Sequence, residues 1–209
     1  MIRTLIADDH ALLRRGLRQL LESALPNVDV VEAATRAEAS GLVEESSWHL
    51  AVLDLSLPDG LGFSLVTELR KRSPRAGIVV LSAHGEKTYA TRALRAGANA
   101  YVSKDTAERD LLAAVQKALE GGLWVSAEFG EQLAHELVQP RSGAPHEQLS
   151  NREMEVLLAI ARGMAVGQIA EQMSLSVKTV STYRARILEK LALANNAELM
   201  RYAFDQKLL

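Results

Sequence analysis

The chain has no cysteine. That absence excludes a disulfide framework, thiolate metal sites and a cysteine nucleophile, and it fits a reducing cytoplasm. A long apolar run is missing as well. The opening stretch MIRTLIADDH carries only a few apolar residues before two aspartates. That is too short for a secretory core or a membrane span, so a soluble, cytoplasmic protein without membrane attachment is expected. Nor is there a strong overall charge, the net value being −2 at pH 7. The charge is unevenly spread: residues 1–124 hold 15 Lys/Arg against 16 Asp/Glu, whereas residues 150–209 hold 8 against 6. Only the C-terminal part is basic.

What is present suffices for packed cores. At 209 residues and 48% hydrophobic content, the chain exceeds the usual size of one domain, and two are expected. Up to Gly121, short β-rich runs (TLIAD, VDVVEA, HLAVLDL, GIVVLSA, AYVSK) alternate with helical patterns over 12–25, Arg36–Glu45, Phe63–Arg72, 87–96 and Ala107–Leu119. Five β-α units in succession predict an α/β domain over 1–121, a doubly wound, five-stranded parallel sheet with helices on both faces. Residues 122–148 read as a linker with one short helix, because VQPRSGAPHEQ resists regular structure. Residues 149–209 read as a small all-α domain. Ser150 and Glu153 form a capping box ahead of an apolar run that Gly163 ends. Helices over VGQIAEQM, Val177–Leu191 and 197–207 follow.

Asp8 and Asp9 close the first β-rich run and Asp54 closes the third. In an open parallel sheet, ligands bind beyond the C-terminal strand ends where the strand order reverses. With the first and third strands adjacent there, three carboxylates meet. Their repulsion is relieved by a hard divalent cation such as Mg2+, which takes oxygen ligands. Ser82 ends the fourth run and Lys104 the fifth, adding a hydroxyl and a point positive charge suited to phosphate oxygens. Together these parts compose a phosphoryl-transfer site in which Asp54 is the nucleophile and forms an acyl phosphate. Taken singly, each is an ordinary turn, cap or surface residue. The reading rests on their joint order. Tyr101, three residues before Lys104, is directed by strand alternation to the opposite face, toward the fourth helix.

Within Val177–Leu191, the residues Val180, Tyr183 or Arg184, Ile187 and Leu191 form an inward stripe, and Ser181, Thr182 and Ala185 face outward. Lys178, Arg184, Arg186 and Lys190 surround the outward surface, opposed only by Glu189. A short helix, an SLS turn with Ser176 as N-cap and then this basic helix make helix-turn-helix anatomy. It suits a major groove, with cations at phosphates and hydroxyls at base edges. About four phosphate-directed cations per headpiece bind weakly at physiological salt, so a DNA-bound dimer is expected. Met200, Ala203, Phe204 and Leu208 give the last helix an apolar stripe that suits either such a dimer or packing within the domain.

The segments IADDH, LAVLDLSLPDGLGF, VVLSAHG and GANAYVSKD closely resemble the CheY-like receiver domain of two-component response regulators. LSNREMEVLLAIARG with IAEQMSLSVKTVSTYRARILEKL resembles the LuxR-type helix-turn-helix of the NarL/FixJ subfamily. The resemblance covers nearly the whole chain outside the linker. It implies Asp54 as phosphoacceptor, Asp9 and Asp54 as Mg2+ ligands with the backbone carbonyl of Ser56, and Asp8 as a ligand through water. It implies Ser82 and Lys104 as holders of the phosphoryl group and Tyr101 as an aromatic switch. For DNA it implies Lys178, Thr179, Ser181, Thr182 and Arg186 as contacts, to which the charge pattern adds Arg184. The partners it implies are a sensor histidine kinase as phosphodonor and promoter DNA, with RNA polymerase open as a further one. The active form would be a homodimer, a regulator of transcription and not an enzyme.

Asp105 stands where many receivers carry proline, Tyr183 where histidine is often found, and Gly167 and Gln168 replace a usual polar-acidic pair. His84, two residues after Ser82, is expected near the mouth of the site, as an influence on phosphoryl loss or a plain surface histidine. Two rival readings use the same residues. A metal-dependent phosphatase with Asp54 as nucleophile would carry a second aspartate two residues on, where this chain has Ser56. A phosphorylation-controlled protein-interaction module would turn the helices to a protein partner, without the steep salt dependence of nucleic-acid binding.

Overall fold

The computed structural model describes residues 1–83, 86–138, 144–206 and 208–209. The chain divides into two compact units, Met1–Pro140 and Arg141–Leu209. The first runs β1 (Ile2–Ala7), α1 (Ala11–Ala24), β2 (Val28–Ala33), α2 (Arg36–Glu45), β3 (Leu50–Asp54), β4 (Ser56–Leu57), β5 (Gly60–Leu61), α3 (Phe63–Arg72), β6 (Gly77–Ser82), α4 (Glu86–Ala96), β7 (Ala100–Ser103), α5 (Ala107–Leu119) and α6 (Ala127–Val138). The five long strands form a parallel sheet in the order β2-β1-β3-β6-β7. Every residue of β3 and β6 is buried, as expected of strands covered by helices on both sides.

On one face, Leu17 and Leu21 of α1 and Val115 and Ala118 of α5 join Val52 and Val79 in one apolar cluster. Helix α5 comes so close that a Cβ on Gly77 would lie 2.8 Å from the Ala118 carbonyl carbon, which reserves that strand start for glycine. β2 flanks β1 on one side and β3 on the other. The strand order therefore reverses at β1, and the crevice opens at the C-terminal ends of β1 and β3.

Two features of this unit have no periodic signature. β4 and β5 pair as a short antiparallel hairpin turning at Pro58 and Asp59. Residues 122–124, assigned to the linker by composition, lie along the sheet: Trp124 bridges Ala100 in parallel and donates its N–H to the Asn99 carbonyl at 2.9 Å. The Asn99 carboxamide fastens the same segment, donating Nδ2 to the Gly122 carbonyl at 2.9 Å and accepting at Oδ1 from Arg70 Nη2 at 2.7 Å and Ile78 N at 3.1 Å. The linker helix is α6; residues 139–143 lie outside the described residues.

The second unit has a 3-10 turn (Pro145–Gln148), α7 (Asn151–Ala161), α8 (Val166–Gln172), α9 (Val177–Leu191) and α10 (Asn196–Asp205). The capping box forms: Ser150 Oγ accepts from Glu153 N at 3.3 Å and Ser150 N donates to Glu153 Oε2 at 2.7 Å. Met154, Leu157, Ile169, Val180, Ile187 and Leu199 are fully buried and make the core. The last helix ends at Asp205, short of the expected 207, a position outside the described residues. Among the described residues, no helix is long and apolar enough to cross a membrane.

Candidate functional site

Asp8 follows β1, Asp54 ends β3 and Lys104 follows β7, so the sheet itself delivers all three to one crevice. One ligand atom from each of Asp8, Asp9, His10 and Asp54 lies within 4.8 Å of the others. Lys104 Nζ donates to Asp54 Oδ2 at 2.7 Å and to Asp8 Oδ2 at 2.8 Å. The remaining oxygen of each acid takes a backbone amide: Asp54 Oδ1 accepts from Ser56 N at 3.0 Å, and Asp8 Oδ1 from His10 N at 2.7 Å. Both acids are nearly inaccessible, at 1% and 2% side-chain exposure, with the 19%-exposed Lys104 bound over them, whereas Asp9 is one-third open and touches His10 Nδ1 at 2.6 Å.

Burial pushes the Asp54 carboxyl above the ordinary carboxylate range, against the pull of Lys104 and the Ser56 amide. For Lys104, burial opposes the charge, but hydrogen bonds to Asp54 and Asp8 outweigh it and hold the ammonium above the usual lysine range. The donor set is hard oxygen, crowded and only partly neutralised by a single ammonium. A hard divalent cation fits those oxygens.

The other expected residues fall around this centre. Ser82 closes β6, fully buried, and its carbonyl accepts from Lys104 N at 2.8 Å. Tyr101, 1% exposed, alternates in β7 with Ala100 and Val102, which belong to the α1/α5 cluster, so its ring lies on the opposite face, that of α4. His84 lies outside the described residues. Sequence reasoning passed over Arg14. Its Nη1 donates to the Asp8 carbonyl at 2.7 Å and its Nε to Glu32 Oε2 at 3.3 Å, fixing the backbone of the acid pair. Its place one turn into the helix that follows the acids was the available signal.

On α9, Ser181, Thr182, Ala185, Lys178 and Arg186 are exposed. Lys178, Thr179, Thr182, Tyr183 and Arg186 line one shallow depression there. Two of the four expected phosphate-directed cations are engaged elsewhere. Arg184, half-buried, donates Nε to Asn196 Oδ1 at 2.6 Å at the start of α10. Lys190 Nζ sits 2.7 Å from Glu153 Oε2, whose side chain is 3% exposed. The helical period explains both: Arg184 shares a face with the buried Ile187 and Leu191, and Lys190 flanks it. The apolar stripe of α10 divides as well. Ala203 in the helix and Leu208 beyond its end are buried inside the unit, while Met200 and Phe204 stay exposed.

An acid pocket closed by a lysine stands in one chain with a basic helix-turn-helix. Residues 4–116 match the response regulator receiver domain and residues 147–203 match the luxR family of bacterial regulatory proteins. The chain belongs to the two-component response regulators of the NarL/FixJ type, DNA-binding regulators of transcription and not enzymes. The response regulator UvrY of Escherichia coli (strain K12) is 30% identical over 204 residues, covering 97% of this chain and 94% of that one. The transcriptional activator protein ExaE of Pseudomonas putida is 35% identical over 210 residues, covering 98% and 97%. RcsB from Salmonella enterica serovar Typhimurium, solved bound to promoter rprA with the phosphomimetic BeF3−, superposes with a TM-score of 0.70 at 28% identity, covering 96% of this chain and 97% of RcsB.

Proposed function

We propose that Asp54 is the phosphoacceptor of a two-component relay whose phosphodonor is a sensor histidine kinase. The observation that carries this reading is the Lys104 ammonium shared between Asp54 and Asp8 at 2.7 and 2.8 Å. An Asp54 oxygen attacks phosphorus, the P–N bond to the kinase histidine breaks, and the imidazole leaves, taking a proton from water. Lys104 then turns to one phosphoryl oxygen and the Ser82 hydroxyl to another. Tyr101 follows Ser82 on the α4 side. Asp9, Asp54 and the Ser56 carbonyl would hold Mg2+, with Asp8 supporting it, and the ion would supply neutralising charge for the phosphoryl oxygens.

The output is promoter DNA, an assignment supported by the promoter complex of RcsB. Lys178, Thr179, Ser181, Thr182 and Arg186 make the contacts, and Arg184 serves as an anchor of α10. With Arg184 and Lys190 turned away, each headpiece has fewer phosphate-directed cations, which strengthens the case for a homodimer on two half-sites. Met200 and Phe204 are the apolar pair available to it. The division of labour is receiver over 1–121, linker over 122–148 and DNA-binding domain over 149–209, in a cytoplasmic protein with RNA polymerase as a further partner. Phosphate drives the switch only through its unequal affinity for the two states.

The test is intact-mass measurement and gel shift after incubation with acetyl phosphate and Mg2+. Wild type should gain a phosphoryl group and bind DNA more tightly; Asp54→Asn should do neither. An Asn variant that still takes up phosphate and tightens on DNA would refute the assignment.

A further inference from the structure

Backbone and side-chain hydrogen bonds fasten the β4–β5 hairpin at its base and at its tip. At its base, Gly62 N donates to the Leu55 carbonyl at 2.8 Å, and a Cβ on Gly62 would lie 2.9 Å from the Asp54 carbonyl oxygen. At its tip, the two carboxylate oxygens of Asp59 accept from the first two amides of α2: Oδ1 from Arg36 N at 2.7 Å and Oδ2 from Ala37 N at 2.8 Å. Those amides have no partner inside the helix, and the positive end of the helix dipole favours a carboxylate there.

Helix α2 does not need Asp59 in order to start. Thr35 Oγ1 already accepts from Glu38 N at 3.1 Å, and Glu38 Oε2 accepts in return from Ala34 N at 2.7 Å. The helix is also tied to α3, through Ser40 Oγ donating to Glu68 Oε2 at 2.8 Å. It is thus a firm anchor, and Asp59 is a tether thrown to it from more than 20 residues away. The hairpin, by contrast, has only two residue pairs, Ser56 with Leu61 and Leu57 with Gly60. A ladder that short does not hold itself in water.

We infer that Asp59 is a positioning residue for the cation site: by pinning the hairpin to α2 it fixes the Ser56 peptide, whose N–H holds Asp54 Oδ1 at 3.0 Å and whose carbonyl is a cation ligand. The carbonyl role rests on the reading given under Proposed function. The Asp59 carboxylate bonds α2, and its effect reaches Ser56 through the backbone of the hairpin.

The experiment is calorimetric titration of the full chain with Mg2+, with folding followed by circular dichroism. Asp59→Ala should bind Mg2+ about tenfold more weakly than wild type, the scale of loss of an outer-shell partner. Asp59→Asn, which keeps one acceptor oxygen, should fall between the two. Thr35→Ala removes the helix's own cap and should lower Tm while leaving Mg2+ affinity unchanged. Folded Asp59→Ala with wild-type affinity overturns the inference, as does Thr35→Ala that weakens Mg2+ as much as Asp59→Ala. If Asp59→Ala does not fold, Asp59→Asn decides on the same comparison. Wild type that takes up no Mg2+ fails the cation-site reading itself, a result distinct from any difference among variants.

Discussion

The Lys104 ammonium lies 2.7 Å from the Asp54 carboxylate, on an oxygen of the acid proposed as the phosphoacceptor. In the absence of a divalent cation the lysine is therefore the counterion of the pocket, and the two positive species compete for the same acids.

Lys104→Met should expose this competition. Leaving Asp8 and Asp54 buried without their ammonium should cost about 3 kcal/mol of stability in metal-free buffer. Saturating Mg2+ should restore most of it, because a ligand that binds only the folded state stabilises that state. Thermal melts with and without Mg2+ check this: the Mg2+-induced rise in Tm should be larger in the variant than in wild type.

Asp54→Asn should be more stable than wild type near neutral pH. Burial raises the Asp54 pKa in the folded state, so the folded chain binds the proton more tightly than the unfolded chain. Ionisation then costs stability as pH rises through the carboxylate range. The advantage of the Asn variant should shrink as pH falls below that range. Melting curves between pH 4 and pH 8 would contradict the assignment if the gap were constant or grew in acid.

The opposite sign holds at Glu153. Burial would raise its pKa, but hydrogen bonds from Lys190 and Ser150 win and lower it. The stabilisation is therefore present above the ordinary glutamate range and is lost as pH falls through the lowered folded value. Lys190→Ala should cost about 2 kcal/mol, less than for a fully buried pair because water reaches the ammonium. Amide hydrogen exchange in α7 and α9 measures the loss.

Arg186 and Lys190 should part company on DNA. Arg186→Ala should reduce the slope of log affinity against log salt by about 0.9 per headpiece, the mark of a lost phosphate contact. Lys190→Ala should leave the slope unaltered, since its ammonium is engaged by Glu153. Equal changes in both slopes would sink the assignment of these two cations.

The sheet was legible because buried parallel strands are written as apolar runs, and α2, α3, α5 and α9 fall at the boundaries their periodicity sets. The pocket was legible because its parts stand at successive strand ends, where topology leaves little freedom. What escaped had no period to show. The β4–β5 hairpin is too short to alternate, the ties of Asp59 and Asn99 go to backbone groups distant in sequence, and that of Arg14 goes to a carbonyl outside its helix. Charge counting on α9 failed for a related reason. A cation's side of the helix is visible in the spacing, but the acid that claims it, Glu153 for Lys190, sits on another helix.

The strand β7 ends the five-stranded order, and the backbone of Gly122–Trp124 lies along it. An uncovered outer strand is a template on which another chain can grow a sheet. A fragment cut after Gly121 would bare that template, while one that runs through α6 keeps it shielded. The first residues beyond α5 thus occupy part of an edge on which a foreign strand could otherwise pair, as well as leading onward to the DNA-binding unit.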